Sequence, residues 1–480
     1  MSQKKFINNL AILIFLNLLV KPFWPLVIEP AVQQEVGNVA YGEYFSLFNF
    51  SFLLNILLDF GVTNFNNKNI AQNNFLLTKH FSALLVLKLL LAFVYLLFTI
   101  TIGLVIGYDT RLIKLLLILG FNQFLISLIL YLRSNLLGLH LFKTDSLISI
   151  LDRTLMIIVC SVILWTDFTG IKIDIMTFVY IQTCAFLITA VIAFIAVMNK
   201  TTKLKIVWNW PFCLMILKKS YPFAILVLLM TFYNRLDAVM IERIIGGEEG
   251  AKEAGIYAKG FRLLDSANMI AYLFSIQLLP VFSRMLKYKE NIEQLVKLSF
   301  TLLITPAIVV SIGCFFYNIE ITSLINHGNI DSANVFSILM CCFIAVSSTY
   351  IFGTLLTANG NLKQLNYMAL MGILINLVLN IILINYYKAY GSAISSLITQ
   401  FFTATLQIYL AYKIFKFRVN KRLLFQLILF IAGVISFNLI TYKLSNNWML
   451  NFSFMTILSV IWALTIGLIS IKSIFRFLKY

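Results

Sequence analysis

The run SYPFAILVLLMTF reads as a membrane helix, yet it continues directly into YNRLDAVMI, residues 233–241, which carries Arg235 and Asp237 two positions apart. Downstream, Lys259, Arg262 and Asp265 recur at i, i+3 and i+6, on one helix face about a turn apart. Lys21, Lys88 and Arg153 are further cations inside apolar stretches. An ionised group at the bilayer centre costs ~3 kcal/mol on insertion scales, so a chain keeps one where it meets protein, water or a ligand. Cations in low dielectric hold phosphate, arginine in a bidentate manner. A carboxylate in the same setting, such as Asp237 or Asp265, can exchange a proton or a sodium ion or lock a neighbouring helix.

Other chemistries find little material. His80, His140 and His327 are far apart and sit at the ends of apolar runs. The six cysteines form no CxxC pair, so neither a disulfide framework nor a metal site is expected. No cofactor is implied, and the reading is of a protein that is not an enzyme.

These charges need helices to hold them, and the composition supplies little else. Hydrophobic residues make up 61% of the 480 and charged residues 12%. Mean hydropathy is +0.92, far above that of soluble domains. Apolar runs of spanning length lie near 7–28, 38–60, 81–107, 112–136, 147–166, 173–197, 219–242, 255–283, 294–319, 332–358, 365–387, 391–415, 422–442 and 449–475. The fold class expected is an all-α polytopic membrane protein with about 14 transmembrane helices. The opening segment has a long apolar core, interrupted by Lys21-Pro22 and lacking a small-residue cleavage site. It is expected to be a retained span rather than a signal peptide.

Lysine and arginine number 37 against 19 acidic residues, an excess that raises the question of nucleic acid. Their positions answer it. With the N-terminus inside, basic residues favour the inner span ends by roughly three to one, which is the positive-inside pattern. Both termini are therefore expected in the cytoplasm, and no nucleic-acid partner is expected. On this placement Lys88 and Arg153 lie in the inner half of the membrane. Lys21, Arg235, Lys259 and Arg262 lie in the outer half, with Asp265 nearer the middle.

The basic segment NKTTKLKIVWNWPFCLMILKK, about 199–218, divides the chain, and the two sides echo each other. Gly42-x-Tyr44 opens the second span and Gly255-x-Tyr257 the eighth; LLGLHLFKTDSLISIL precedes span five as LLTANGNLKQLNYMAL precedes span eleven. Two pseudo-symmetric six-helix lobes around a central cavity, 1–198 and 219–417, are expected, in the manner of transporter repeats. The residues 199–218 form the linker, and 418–480 form an extra C-terminal helix pair.

From about 230 to 400 the motif order is specific: Arg235-x-Asp237, Gly255-x-Tyr257, Pro280, Ala358-x-Gly360, Asn376-x-x-x-Asn380 and Tyr390-Gly391. This order resembles the polysaccharide transporter family, the O-antigen and capsule flippases. That family lies within the multidrug/oligosaccharidyl-lipid/polysaccharide (MOP) exporter superfamily. The chain departs from the pattern at Ser392-Ala393, where a second glycine is common. The resemblance implies a cavity between two helical lobes and movement of a lipid-linked oligosaccharide to the outer leaflet of a bacterial plasma membrane. It also implies membrane lipids and polysaccharide polymerase or assembly proteins as partners.

The residues argue in the same direction. A polyprenyl-pyrophosphate glycan needs cations for its phosphates and amides for its sugars. Lys21, Lys88, Arg153, Arg235, Lys259 and Arg262 are the candidates for the first task, with Arg235, Lys259 and Arg262 as an outer patch. Asn55, Asn122, Gln123, Gln182, Asn234, Asn268 and Gln277 place amides at membrane depth. Each candidate has a plainer alternative. Lys21 and Lys88 have stems long enough to snorkel, and Arg153 can pair with Asp59. Arg235 and Asp237 point about 200° apart, so one can face a cavity while Asp237 locks a neighbour. Asn376 and Asn380 can serve as interhelical glue. A multidrug extruder shares the expected fold but favours buried carboxylates for cationic drugs. A membrane glycosyltransferase or polymerase needs acidic metal ligands and large outer loops, and a non-transporting scaffold leaves the deep charges without a purpose.

Overall fold

The computed structural model describes residues 20, 22–63, 66, 70, 75–139, 141–166, 170, 172–200, 210–326, 330–417, 420–442 and 444–469. Lys21, most of the first expected span, residues 201–209 of the linker and the C-terminal 470–480 lie outside them. Among the described residues every regular element is helical. Ten helices are long and apolar enough to cross a membrane.

The chain divides into two compact units, Met1–Gly255 and Ile256–Tyr480. The first begins with a π turn, Trp24–Ile28, that runs into α1, Glu29–Leu53. Gly37 interrupts α1 at φ 83°, ψ 164°, a conformation glycine adopts without a Cβ penalty. That break separates the first two expected spans. The helix continues past residue 28, the expected end of the first span, and its polar residues find partners. Trp24 Nε1 donates to Glu29 Oε1 at 2.6 Å, and Gln33 Nε2 donates to the Gly255 carbonyl at 2.8 Å.

A 3₁₀ turn, Asn55–Leu58, follows. Next come α2 (Leu76–Ile106), α3 (Thr110–Gly138), α4 (Phe142–Trp165), α5 (Ile175–Met198) and α6 (Trp210–Ile245). Gly107, left-handed at φ 89°, ends α2, and Asp109 starts α3 by accepting the Leu112 N–H at 2.8 Å. Asp174 caps α5 in the same way, accepting the Thr177 N–H at 2.7 Å. In this unit α3 packs on α5, and α1 packs on α6.

Small residues set the α1 contact. A Cβ on Gly42 would collide with the Ala251 carbonyl oxygen, and one on Gly255 with the Asn38 carbonyl oxygen. Both glycines of the repeated Gly-x-Tyr motif are therefore points of close backbone approach. In lipid such packing, rather than a hydrophobic driving force, holds helices together. Ser46 Oγ adds a hydrogen bond to Glu242 Oε2 at 3.2 Å.

The turn at Gly246 and Gly247, at φ 74° and 59°, leads into α7 (Gly247–Lys287), most of which belongs to the second unit. Further along are α8 (Glu293–Phe316), α9 (Asn318–Asn326), α10 (Ile330–Ala358) and α11 (Leu362–Phe415). The chain ends with α12 (Lys421–Thr441) and α13 (Trp448–Thr465). The 54 residues of α11 reverse at Lys388, φ 49° and ψ −132°, so they supply the two spans expected at 365–387 and 391–415. α1 and α7 are as long as the others but too polar to qualify as spans on composition. The α12–α13 pair packs on α8 through Ile304, Ile308, Phe430, Val434 and Met455. Gly313 leaves the room that Phe452 and Met455 fill.

Candidate functional site

In the first unit, Lys88 and Arg153, the two cations expected in the inner half, meet opposite fates. Lys88 on α2 is 1% exposed, and its ammonium has three acceptors. It forms an ion pair with Asp59 and donates to Leu58 O at 3.0 Å and Ser127 Oγ at 2.8 Å. A lysine has three donors, and all three are spent. Asp59 in turn accepts from the Gly61 and Thr63 backbone N–H groups at 3.1 and 3.3 Å. Lys88 therefore neither snorkels nor presents itself to a ligand; it ties α2 and α3 to the turn after α1.

That pairing also settles the alternative for Arg153. Asp59 is taken by Lys88, and among the described residues Arg153 forms no ion pair with it. Instead the half-buried Arg153 guanidinium lies over the Trp24 ring, its Cζ 5.5 Å from the centroid. Trp24 is itself fixed, stacking on Phe178 at 5.5 Å with 5° between the planes. Tyr44 meets Phe178 edge-on at 5.4 Å, and Gln182 Nε2 donates to the Tyr44 hydroxyl at 3.1 Å.

The two charged residues of the opening motif stand two positions apart on α6, about 200° around the helix. Arg235 is half-buried, its guanidinium 5.1 Å from the Phe52 ring centroid, while Asp237 is buried. In the second unit, α7 carries Lys259 half-buried, Arg262 buried at 4% exposure and Asp265 exposed. Asn380 Nδ2 donates to Asn376 Oδ1 at 3.1 Å and Ser392 Oγ to Asn380 Oδ1 at 2.8 Å. The second of these bonds ties the two arms of α11 across its reversal at Lys388. Lys21 lies outside the described residues.

Several charged residues escaped sequence reasoning. Glu29 accepts from Trp24 Nε1 and, at 3.3 Å, from the Tyr41 hydroxyl. Arg133 forms a bidentate pair with buried Asp145, at 2.7 and 3.1 Å. Arg243 pairs with Glu242 at 3.1 Å and lies 3.7 Å from the Tyr108 centroid, while Arg111 pairs with Glu43 at 2.6 Å. The one local hint was the Trp24-to-Glu29 spacing. A π turn closes i to i+5, and the Glu29 N–H does bond the Trp24 carbonyl. Among the described residues no group of histidine, cysteine and carboxylate side chains could hold a metal ion.

The sequence matches the family described as "Polysaccharide biosynthesis protein" over residues 6–286, more than half of the chain. The chain belongs to this family. An uncharacterized membrane protein of Methanocaldococcus jannaschii is 29% identical over 192 residues, 39% of this chain. That alignment spans 43% of the curated relative, less than half its length. Among solved structures, the lipid II flippase MurJ in an inward closed conformation superposes with a TM-score of 0.70 at 14% identity, covering 94% of this chain and 97% of that one. An inward-facing multidrug resistance MATE transporter of the MOP superfamily gives 0.59 at 12% identity, with 82% and 94% covered. A MOP superfamily transporter from Pyrococcus furiosus gives 0.59 at 15% identity, with 85% and 95% covered. The chain is thus a multi-pass membrane protein with the fold of the MOP transporters.

Proposed function

We propose that this family member is a flippase that moves a polyprenyl-pyrophosphate-linked oligosaccharide from the inner to the outer leaflet for surface polysaccharide assembly. One observation carries the reading. Arg153 sits within a membrane helix, rests on an aromatic ring and has no carboxylate partner among the described residues. The five donors of a guanidinium in such a place suit an anionic headgroup far better than a cationic drug. Arg235 in the first unit, and Lys259 and Arg262 in the second, are further candidate cations. Lys88 enters as a helix lock, since its donors are occupied. The family description and the shared transporter fold support this reading.

In this proposal 1–198 and 219–417 are the two lobes, 199–218 is the linker and 418–480 is an added pair. The chain lies in the plasma membrane with both ends in the cytoplasm. Asp237 or Asp265 couples transport to protons or sodium, and polymerase or assembly proteins receive the product. Deletion tests the whole. Cells without the protein should accumulate a lipid-linked sugar in the inner leaflet and lose a surface glycan, and Arg153→Met should reproduce this at normal protein level. Normal surface glycan together with sharp sensitivity to cationic dyes would move the assignment to a multidrug extruder.

A further inference from the structure

The two ends of the second unit differ in charge. α8 and α12 run the same way: Ile304 and Ile308 share a core cluster with Leu423 and Phe430, and Tyr317 meets Tyr442 at 5.6 Å just past the helix ends. The second arm of α11 ends beside their starts, since Tyr412 lies within electrostatic reach of Glu293, the first residue of α8. The starts of α8 and α12 and the end of α11 therefore share one rim. On it Lys289, Lys297, Lys413, Lys416, Lys421 and Arg422 are all exposed. The stretches 287–297 and 412–422 that supply them hold two carboxylates, Glu290 and Glu293. Among the described residues none of the six cations enters an ion pair, and the opposite end of the unit carries Glu320, Asp331 and Lys388.

Aromatic rings stand between these cations. Tyr412 and Phe415 each meet Phe417, at 5.7 and 5.5 Å, and all three are half-buried. Such rings settle where hydrocarbon gives way to headgroups. Lys413 and Lys416 alternate with them at the end of a spanning helix. Their stems can lie along apolar surface while the ammonium groups rise into the headgroup layer. Exposed cations at that depth are best held by lipid phosphates, whereas a surface for an acidic soluble protein would need no rings at the hydrocarbon edge.

We propose that this rim is a docking surface for anionic phospholipid headgroups, with Lys413, Lys416, Lys421 and Arg422 holding the phosphates and Tyr412, Phe415 and Phe417 setting the depth. Each cation beside an anionic surface adds about fivefold in affinity, so four in one place select anionic over zwitterionic lipid. Salt screens that share. A basic bias that served membrane insertion alone would leave the folded protein indifferent to headgroup charge. None of these residues is a candidate for substrate binding, so the surface does not depend on what the protein transports.

The test is electron spin resonance of spin-labelled phosphatidylglycerol and phosphatidylcholine, each at trace level, in phosphatidylcholine vesicles that hold the purified full-length protein. The readout is the ratio of their protein-bound fractions, with monodisperse elution required of every variant before reconstitution. The native protein should prefer phosphatidylglycerol by about threefold or more in about 0.05 M salt, and by less than about 1.5-fold in about 1 M salt. Lys413→Gln/Lys416→Gln/Lys421→Gln/Arg422→Gln should bring the low-salt preference below about 1.5-fold. Lys388→Gln, at the opposite end of the unit, should keep the native ratio. Where the quadruple variant does not fold, Lys421→Gln/Arg422→Gln should roughly halve the preference. Equal native binding of the two lipids would overturn the surface and leave an acidic protein or the insertion machinery to read these cations. A native ratio in the quadruple or double variant, or an equal loss in Lys388→Gln, would overturn its placement on this rim.

Discussion

Replacing Lys88 with methionine keeps the stem and removes the ammonium, so it isolates what the buried charge contributes. Three bonds go at once: the Asp59 pair, the Leu58 carbonyl at 3.0 Å and Ser127 Oγ at 2.8 Å. Breaking a buried pair from one side costs ~3–5 kcal/mol, since the surviving charge is left uncompensated. Two features place this case near the lower end. The Asp59 side chain is 26% exposed and keeps the Gly61 and Thr63 donors, and the Leu58 carbonyl still accepts from Ser127 at 3.2 Å. A loss of ~3 kcal/mol is expected, about a hundredfold in the folded ratio.

Adding Asp59→Asn removes the orphaned charge, so the double variant should regain ~1–2 kcal/mol relative to additivity. The assay is the folded fraction of purified protein titrated with a denaturing detergent, for both single variants and the double. The reasoning fails if Lys88→Met stays within ~1 kcal/mol of native, or if the two substitutions simply add. Arg153→Met supplies the contrast. It removes no ion pair among the described residues, so folded protein should hold while transport per inserted molecule falls.

The other predictions concern packing, charge and sidedness. Gly42→Leu must push the α1 backbone away from Ala251 and should cost more than the ~1–3 kcal/mol usual for overpacking, read as a fall in monodisperse protein; a normal yield would deny the close contact. Arg262→Lys should keep part of the transport and Arg262→Ala almost none, scored as surface glycan per membrane-inserted protein; native transport by the alanine variant would leave Arg262 a packing residue. Reporter fusions at Lys289 and Lys363 should lie in the cytoplasm and those at Gly247 and Asn446 outside, and an opposite signal at any of them breaks the span count. Asp174→Ala should destabilise by ~1 kcal/mol through the lost cap on α5, while Asp174→Asn stays near native in the same detergent titration.

Local composition alone was enough for the membrane class, for most of the helical runs and for the reversal near residue 388, because a bilayer demands long apolar segments whatever they later touch. The chain's own pattern also flagged Gly42 and Gly255, although not their purpose. Tertiary structure decided which charges are spent. Asp59 and Lys88 lie 29 positions apart and Arg153 stands 129 residues beyond Trp24, so no periodicity says which carboxylate takes which cation. The continuation of the helix beyond residue 28 was illegible for the same reason, since the Gly255 carbonyl that Gln33 meets stands 222 residues away. Burial of an apolar face is a property that each segment carries with it, whereas the partner of a buried charge is chosen by the fold: the pair is stable only where both groups and their remaining hydrogen bonds arrive together.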